Sequence, residues 1–405
     1  MTTTEVPKGR TVTLGDVPGD LRVGKNARIE VSGRLTVAGV ARFDGNAEVR
    51  GDLTCRALEA DDGTVRIAGS VHATESVRAH DATIEVEGGF RSVHVDVDRG
   101  LSIRGPAEAE EFEVGGYLDG RSTLTAAKVS VGGKFRLAGK LTARAVDAGG
   151  SVDVGEVEVD SLDAGGLIRL GGGTVKNGVK VGGRFVARGP LSFGSLDAGG
   201  TADLQAGGKG GSIDVGGVLS VGGDLTFSTL DVGGLGSIHG DATGESFDVG
   251  GKFDVGGALR VTRSVDVGGF MSVGGDLAGE SLDVGGMLSA RSGIFTGTAR
   301  VGGHIRTHAG LKASRLVLRA KARASGPLIG GTVELEHRAR AEEVYGESVE
   351  LGDRAEANRV VAKRVRVGRG ASVSEVLYSE SADVDPEAHL SAPPRRVDPL
   401  PPFPL

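Results

Sequence analysis

An apolar residue followed by Gly-Gly recurs through the middle of this chain, led by Val114, Val131, Ala148, Ala164, Val181, Ala198, Val215, Val232, Val249, Val267, Val284 and Val301. The eleven steps between these markers are 17, 17, 16, 17, 17, 17, 17, 17, 18, 17 and 17 residues. A period held that closely is the signature of a repeat architecture, in which each repeat buries its apolar face only by stacking on the next.

Inside each repeat the residue types alternate. Leu282-Asp283-Val284, Leu230-Asp231-Val232 and Val265-Asp266-Val267 read apolar, polar, apolar, as a strand with one buried face does. A second such triplet follows six residues on, as in Leu219-Ser220-Val221, Phe253-Asp254-Val255 and Met271-Ser272-Val273, and a third after six more, as in Leu225-Thr226-Phe227. Three short strands with glycine bends make one coil. The expected fold is all-β: a single-chain parallel β-helix, right-handed and roughly triangular, with about 17 residues per coil.

The same alternation extends beyond the glycine-marked centre, 114–303. Towards the N-terminus the inward pairs read Ile29/Val31, Ala47/Val49, Val65/Ile67, Ile84/Val86 and Leu101/Ile103, in steps of 18, 18, 19 and 17. Towards the C-terminus Leu316/Leu318, Val333/Leu335, Val349/Leu351 and Val365/Val367 step by 17, 16 and 16. The expected organisation is a disordered segment at 1–10, a continuous β-helix at 11–385 and a disordered, proline-rich tail at 386–405. The 71 glycines, absence of Trp and only 12 Phe suit a narrow core of Val, Leu, Ile and Ala rather than a thick globular one.

The net charge of -7 gives no general attraction to nucleic acid, so such a partner is not expected. The opening residues lack an apolar core of signal-peptide length, and no apolar run approaches a membrane span, so the expected address is cytoplasmic, with any membrane association indirect. Cys55 is alone, and Leu53-Thr54-Cys55 lines up with Leu35-Thr36-Val37, which predicts a buried thiol acting as a small hydrophobe.

The candidates for chemistry have plainer readings. Asp147, Asp163, Asp197, Asp214, Asp231, Asp248, Asp266 and Asp283 form an outward column beside the marker residue. Such a column solubilises a face, accepting hydrogen bonds from backbone or from Ser195, Ser212, Ser246, Ser264 and Ser281, and the spacing is not that of a calcium-binding nonapeptide. His72, His80, His94, His239, His304, His308, His337 and His389 show no zinc-type spacing. The Gly-Gly pairs are corners and open no helix, so they are not phosphate loops. No catalytic group, cofactor or metal site is expected, and a non-enzymatic role follows.

Charge is segregated. From Arg300 to Gly370 there are 15 Lys or Arg against 8 Asp or Glu, whereas residues 195–299 carry 13 acids against five basic residues. Lys312, Arg315, Arg319, Lys363, Arg364 and Arg366 define a candidate basic contact face. The end coils present unpaired strand edges, which makes Val12, Leu14, Leu21, Val23, Val365, Val367, Val373 and Val376 candidates for a self-assembly interface. The tail from Ala392 to Leu405 reads either as a tether for another cytoskeletal or membrane-associated protein or as a plain extension.

Two stretches carry a family resemblance. Asn26-Ala27-Arg28-Ile29-Glu30-Val31-Ser32-Gly33 through Ala47-Glu48-Val49-Arg50-Gly51-Asp52-Leu53, and Val365-Arg366-Val367-Gly368-Arg369-Gly370-Ala371, resemble the bactofilins, polymer-forming cytoskeletal proteins with archaeal relatives called halofilins. The resemblance implies a right-handed β-helix that polymerises end to end without nucleotide into scaffolds affecting cell shape. This chain departs from it in being several times longer than the usual single domain, and in lacking the short membrane-targeting peptide of many members. An exported, adhesin-like surface rod is the alternative reading. A β-helical lyase would need long inserted loops, and a hexapeptide acyltransferase a strict 18-residue coil with a catalytic His.

Overall fold

The computed structural model describes residues 2–402. Among them every element is a β-strand, and every strand pairing is parallel to a strand about 17 residues away. The chain is a β-solenoid. It divides into two compact units, Met1–Gln205 and Ala206–Leu405. The division falls where the alternation lapses: Gln205 and Ala206 form a turn and Gly207 takes a φ of 79°.

In the first unit the inward columns run without a break through the glycine-marked coils. Phe112, Val129, Val146, Leu162, Val179 and Leu196 stack in register, as do Val114, Val131, Ala148, Ala164, Val181 and Ala198. All are buried. Each added coil removes one ring of such side chains from water and pairs one ring of backbone groups, so stability accumulates coil by coil.

The second unit follows the same rule with columns Ile213, Leu230, Phe247, Val265, Leu282 and Val215, Val232, Val249, Val267, Val284. Its core also uses a large-beside-small device. Gly236 lies in register with Phe253, and a Cβ on Gly236 would occupy the space of that ring. Phe253 in turn meets Phe247 edge to face, ring centroids 5.0 Å apart, and Phe247 lies 6.0 Å from Phe227. Aromatic pairs at this separation contribute beyond the area they bury.

Three expectations need correction. The coil that begins at Ala27 is longer than its sequence suggests: Ala27 pairs with Ala47 and Ile29 with Val49, a step of 20, and Val31 is left half-buried. The extra residues are taken up at register shifts between Glu30 and Arg34 and between Val37 and Val40, with Gly33 at φ 104°. Secondly, the segment 1–10 is ordered where it is described. Thr3–Val6 form a strand paired with Asp20–Val23, while Met1 lies outside the described residues.

Thirdly, the tail does pair. His389–Leu390 pair with Ser372–Val373, and Arg395–Arg396 with Leu377–Tyr378. The ladder continues for one more bond, Val397 donating its N–H to the Tyr378 carbonyl at 2.8 Å, and Val397 and Leu400 pack on the column Ile329, Tyr345, Val361, Leu377. Alternation puts this column on the outer side of the coils, because Leu328, Val344, Val360 and Val376 beside it point inward. The prolines prevent a continued ladder, but they do not prevent apolar side chains between them from covering an apolar strip. Phe403 to Leu405 lie outside the described residues.

Candidate interaction surfaces

The strand edges at the two ends differ. At the N-terminal end Thr3–Val6 pair on one side only, with Asp20–Val23, and Thr11–Val17 pair on one side only, with Ala27–Phe43. Among the described residues nothing pairs with the outer edge of either strand, and Val12 and Leu14 are half-buried there. A threonine- and valine-rich open edge is a template for further strand pairing. Leu21 and Val23 are buried under the Thr3–Val6 strand, so they line the core rather than the edge. At the C-terminal end Val365, Val367, Val373 and Val376 are likewise buried. Val365 and Val367 pair with Ala382 and Val384, and the short tail strands overlie part of the last coil.

The expected basic face is largely neutralised. Arg315 pairs with Glu334, Arg319 with Asp283, Lys363 with Glu347, Arg364 with Glu380 and Arg366 with Glu350; of the six only Lys312 has no ion pair among the described residues. The partner is always one or two coils away. Sequence counting therefore saw the charges but not their pairing, which becomes visible only with the register. Each such exposed pair contributes only ~0–1 kcal/mol. Between residues 300 and 370, the cations with no ion pair among the described residues are Arg300, Arg306, Lys312, Lys321, Arg323, Arg338 and Arg354.

The aspartate column differs between the units. In the first, Asp147 and Asp163 stack, and Lys180 then separates Asp163 from Asp197. In the second, Asp214, Asp231, Asp248, Asp266 and Asp283 follow one another without interruption. The first four make no ion pair among the described residues. Partial burial, then the like charges of Asp266 and Asp231, push the Asp248 carboxyl above its ordinary range. Of the two expected donors, the backbone serves Asp248 through the Val249 N–H, while Ser195 donates to the Asn177 carbonyl and Thr229 donates to the Ser212 hydroxyl.

Across the Gly-Gly corner from the second unit's aspartates runs a ladder that the sequence reading did not single out. Val218, Leu235, Lys252, Phe270 and Met287 stack in register, and the four apolar members are exposed, Leu235 by 54% and Phe270 by 58%. The signal was present in the residue three places after each marker, which is apolar in four of these five coils and should be polar on a solvated corner.

Cys55 lies between Val37 and Ala73 in an inward column, and burial pushes its thiol up to about 12. Among the described residues no group of three or more His, Cys, Asp or Glu is placed to hold a metal ion, and no helix is long and apolar enough to cross a membrane. Comparison with protein-family models, curated proteins and solved structures gives no match.

Proposed function

We propose that this chain is a structural protein that assembles with copies of itself through the strand edges of its end coils, forming nucleotide-independent filaments or scaffolds of the kind the bactofilin resemblance implies. The observation that carries the reading is the N-terminal edge, where Thr3–Val6 and Thr11–Val17 each have no neighbour on their outer side among the described residues. An unpaired edge on a stacked parallel sheet leaves a row of N–H and C=O groups that a second chain satisfies better than a side chain does. The tail strap narrows the equivalent edge at the C-terminal end. A cytoplasmic scaffold affecting cell shape is the corresponding cellular role.

The test is electron microscopy of the purified full chain without nucleotide, with fibre diffraction for the ~4.8 Å strand repeat. Filaments or sheets are expected. Val12→Lys with Leu14→Lys, at the edge itself, dissolves them, whereas a chain ending at Asp385 assembles more readily because its last coil is uncovered. A protein that remains monomeric at every concentration and salt level overturns the reading.

A further inference from the structure

A four-residue turn recurs in this protein at 7–10, 24–27, 319–322, 336–339, 352–355 and 368–371, its fourth residue donating the backbone N–H to the carbonyl of its first. The third residue has positive φ in all six, a conformation that favours glycine or asparagine, and Gly9, Asn26 and Gly370 stand there in three of them. In the other three, on consecutive coils, the residue is Lys321, Arg338 and Arg354, with φ of 67°, 59° and 58°. Their N–H groups donate to the carbonyls of His337, Asp353 and Arg369 in the following turns, so the three stack in one exposed row at the ~4.8 Å strand spacing. The backbone there prefers a small residue, yet three long cations occupy it.

Two residues after these turns a second row begins, His304, Arg323 and Arg340 in register, with Arg306 two residues past His304. Lys321, Arg338, Arg354, Arg323 and Arg306 have no ion pair among the described residues. The nearby carboxylates are engaged: Asp353 pairs with Arg369, Glu356 with Arg340, and Glu336 accepts from the Ala320 N–H. Towards lower residue numbers the second row continues as Met287 and Phe270, 42% and 58% exposed. We propose that this ridge of the Ala206–Leu405 unit is a docking surface for an anionic lipid membrane. The cations meet the charged headgroups, and Met287 and Phe270 enter the headgroup layer in line with them.

Stacked turns make a straight convex line, which fits a plane rather than a groove. A nucleic-acid strand would instead call for aromatic side chains set among the cations to stack its bases, and the rows Lys321, Arg338, Arg354 and His304, Arg323, Arg340 carry no Phe, Tyr or Trp. The surface ends at the coil of Phe270, where Asp266 begins the unpaired aspartates; Asp283, in the coil of Met287, is neutralised by Arg319. The contact uses none of the end-strand edges, so it stands apart from end-to-end assembly.

Flotation of the full chain with vesicles on a density gradient tests it, because unbound filaments stay at the bottom. Binding is expected to phosphatidylcholine vesicles containing about 30% phosphatidylserine and not to phosphatidylcholine alone, and it weakens about tenfold or more between about 50 and about 500 mM salt. Each basic residue at an anionic surface strengthens binding about fivefold, so Lys321→Asn, Arg338→Asn and Arg354→Asn together weaken it about a hundredfold. Asparagine suits positive φ, so this triple variant keeps or raises the melting temperature, which separates a lost contact from a lost fold. Phe270→Ser with Met287→Ser weakens binding severalfold. Lys312→Asn, on the separate face of Ile294 and Ile329, leaves it unchanged. Equal binding to neutral vesicles, a triple variant that floats like its parent, or tighter binding to single-stranded poly(dT) than to the anionic vesicles overturns the proposal. Electron microscopy of the triple variant, whose end edges are intact, decides the end-to-end reading separately.

Discussion

The same Val-Gly-Gly corner is built under different constraints in the two units. In the first unit the first glycine is confined as well as the second through Gly182: a Cβ at Gly165 or Gly182 would lie 2.6 or 2.7 Å from the carbonyl oxygen of the glycine one coil before, closer than real side chains come, and only at Gly199 does this relax to 3.0 Å. In the second unit only the second glycine is so confined. An identical sequence motif thus leaves no room for a side chain in one place and ordinary contact room in the other. The difference coincides with the surface: beside the first unit's corner stand Tyr117, Lys134, Ser151, Leu167 and Arg184, a mostly polar set, and beside the second's stands the apolar ladder.

The largest expected effect follows directly. Gly132→Val, in the first unit, forces a Cβ into the Gly115 carbonyl and should cost about 2–4 kcal/mol, while Gly250→Val in the second should stay within about 0.5 kcal/mol. Urea unfolding of both variants, followed by circular dichroism, measures the contrast. Equal losses would show that the two corners are constrained alike.

A somewhat smaller difference separates the cores. Phe135 in the first unit is fully buried with no close aromatic neighbour among the described residues, whereas Phe247 in the second contacts both Phe227 and Phe253. Truncation of either to Ala should cost about 3–5 kcal/mol. Phe247→Ala should exceed Phe135→Ala by roughly 1–3 kcal/mol, since two aromatic contacts are lost as well as area. The same unfolding assay orders the two, and the reverse order would mean that the aromatic cluster adds nothing beyond its buried area.

The coil plan was legible because period-2 alternation and a fixed corner leave one register to choose. A strand slipped by one residue would turn Leu230 and Val232 to water and Asp231 into the core. Where the corner marker is missing, that constraint weakens. Ala27-Arg28-Ile29-Glu30-Val31 alternates over its whole length, so the sequence cannot say which two of its three apolar residues pair with Ala47 and Val49. The tail escaped for a different reason: Val397 and Leu400 acquire meaning only against an outward apolar column assembled from residues 16 apart on four coils. Of the expected edge residues, Val12 and Leu14 lie on a strand with no neighbour on its outer side among the described residues, whereas Leu21, Val23, Val365, Val367 and Val373 each have a further residue paired over them.

The smallest expected effect concerns the unbroken acid column. Asp248 has its folded pKa raised, so it disfavours ionisation more strongly in the folded chain than in the unfolded one. The sign follows from linkage: stability is greatest where Asp248 is protonated in both states, below the ordinary carboxylate range, and is lost as pH rises through the raised folded value. Asp248→Asn should therefore raise the unfolding midpoint slightly at pH 7, with the gain vanishing near pH 3 and shrinking in high salt as the repulsion from Asp231 and Asp266 is screened. Asp163→Asn in the first unit, where Lys180 stands next in the column, should give no such gain. Chemical unfolding of dilute protein at the two pH values reads both variants, and a gain at Asp163 equal to that at Asp248 would mean that the interruption by Lys180 does not matter electrostatically.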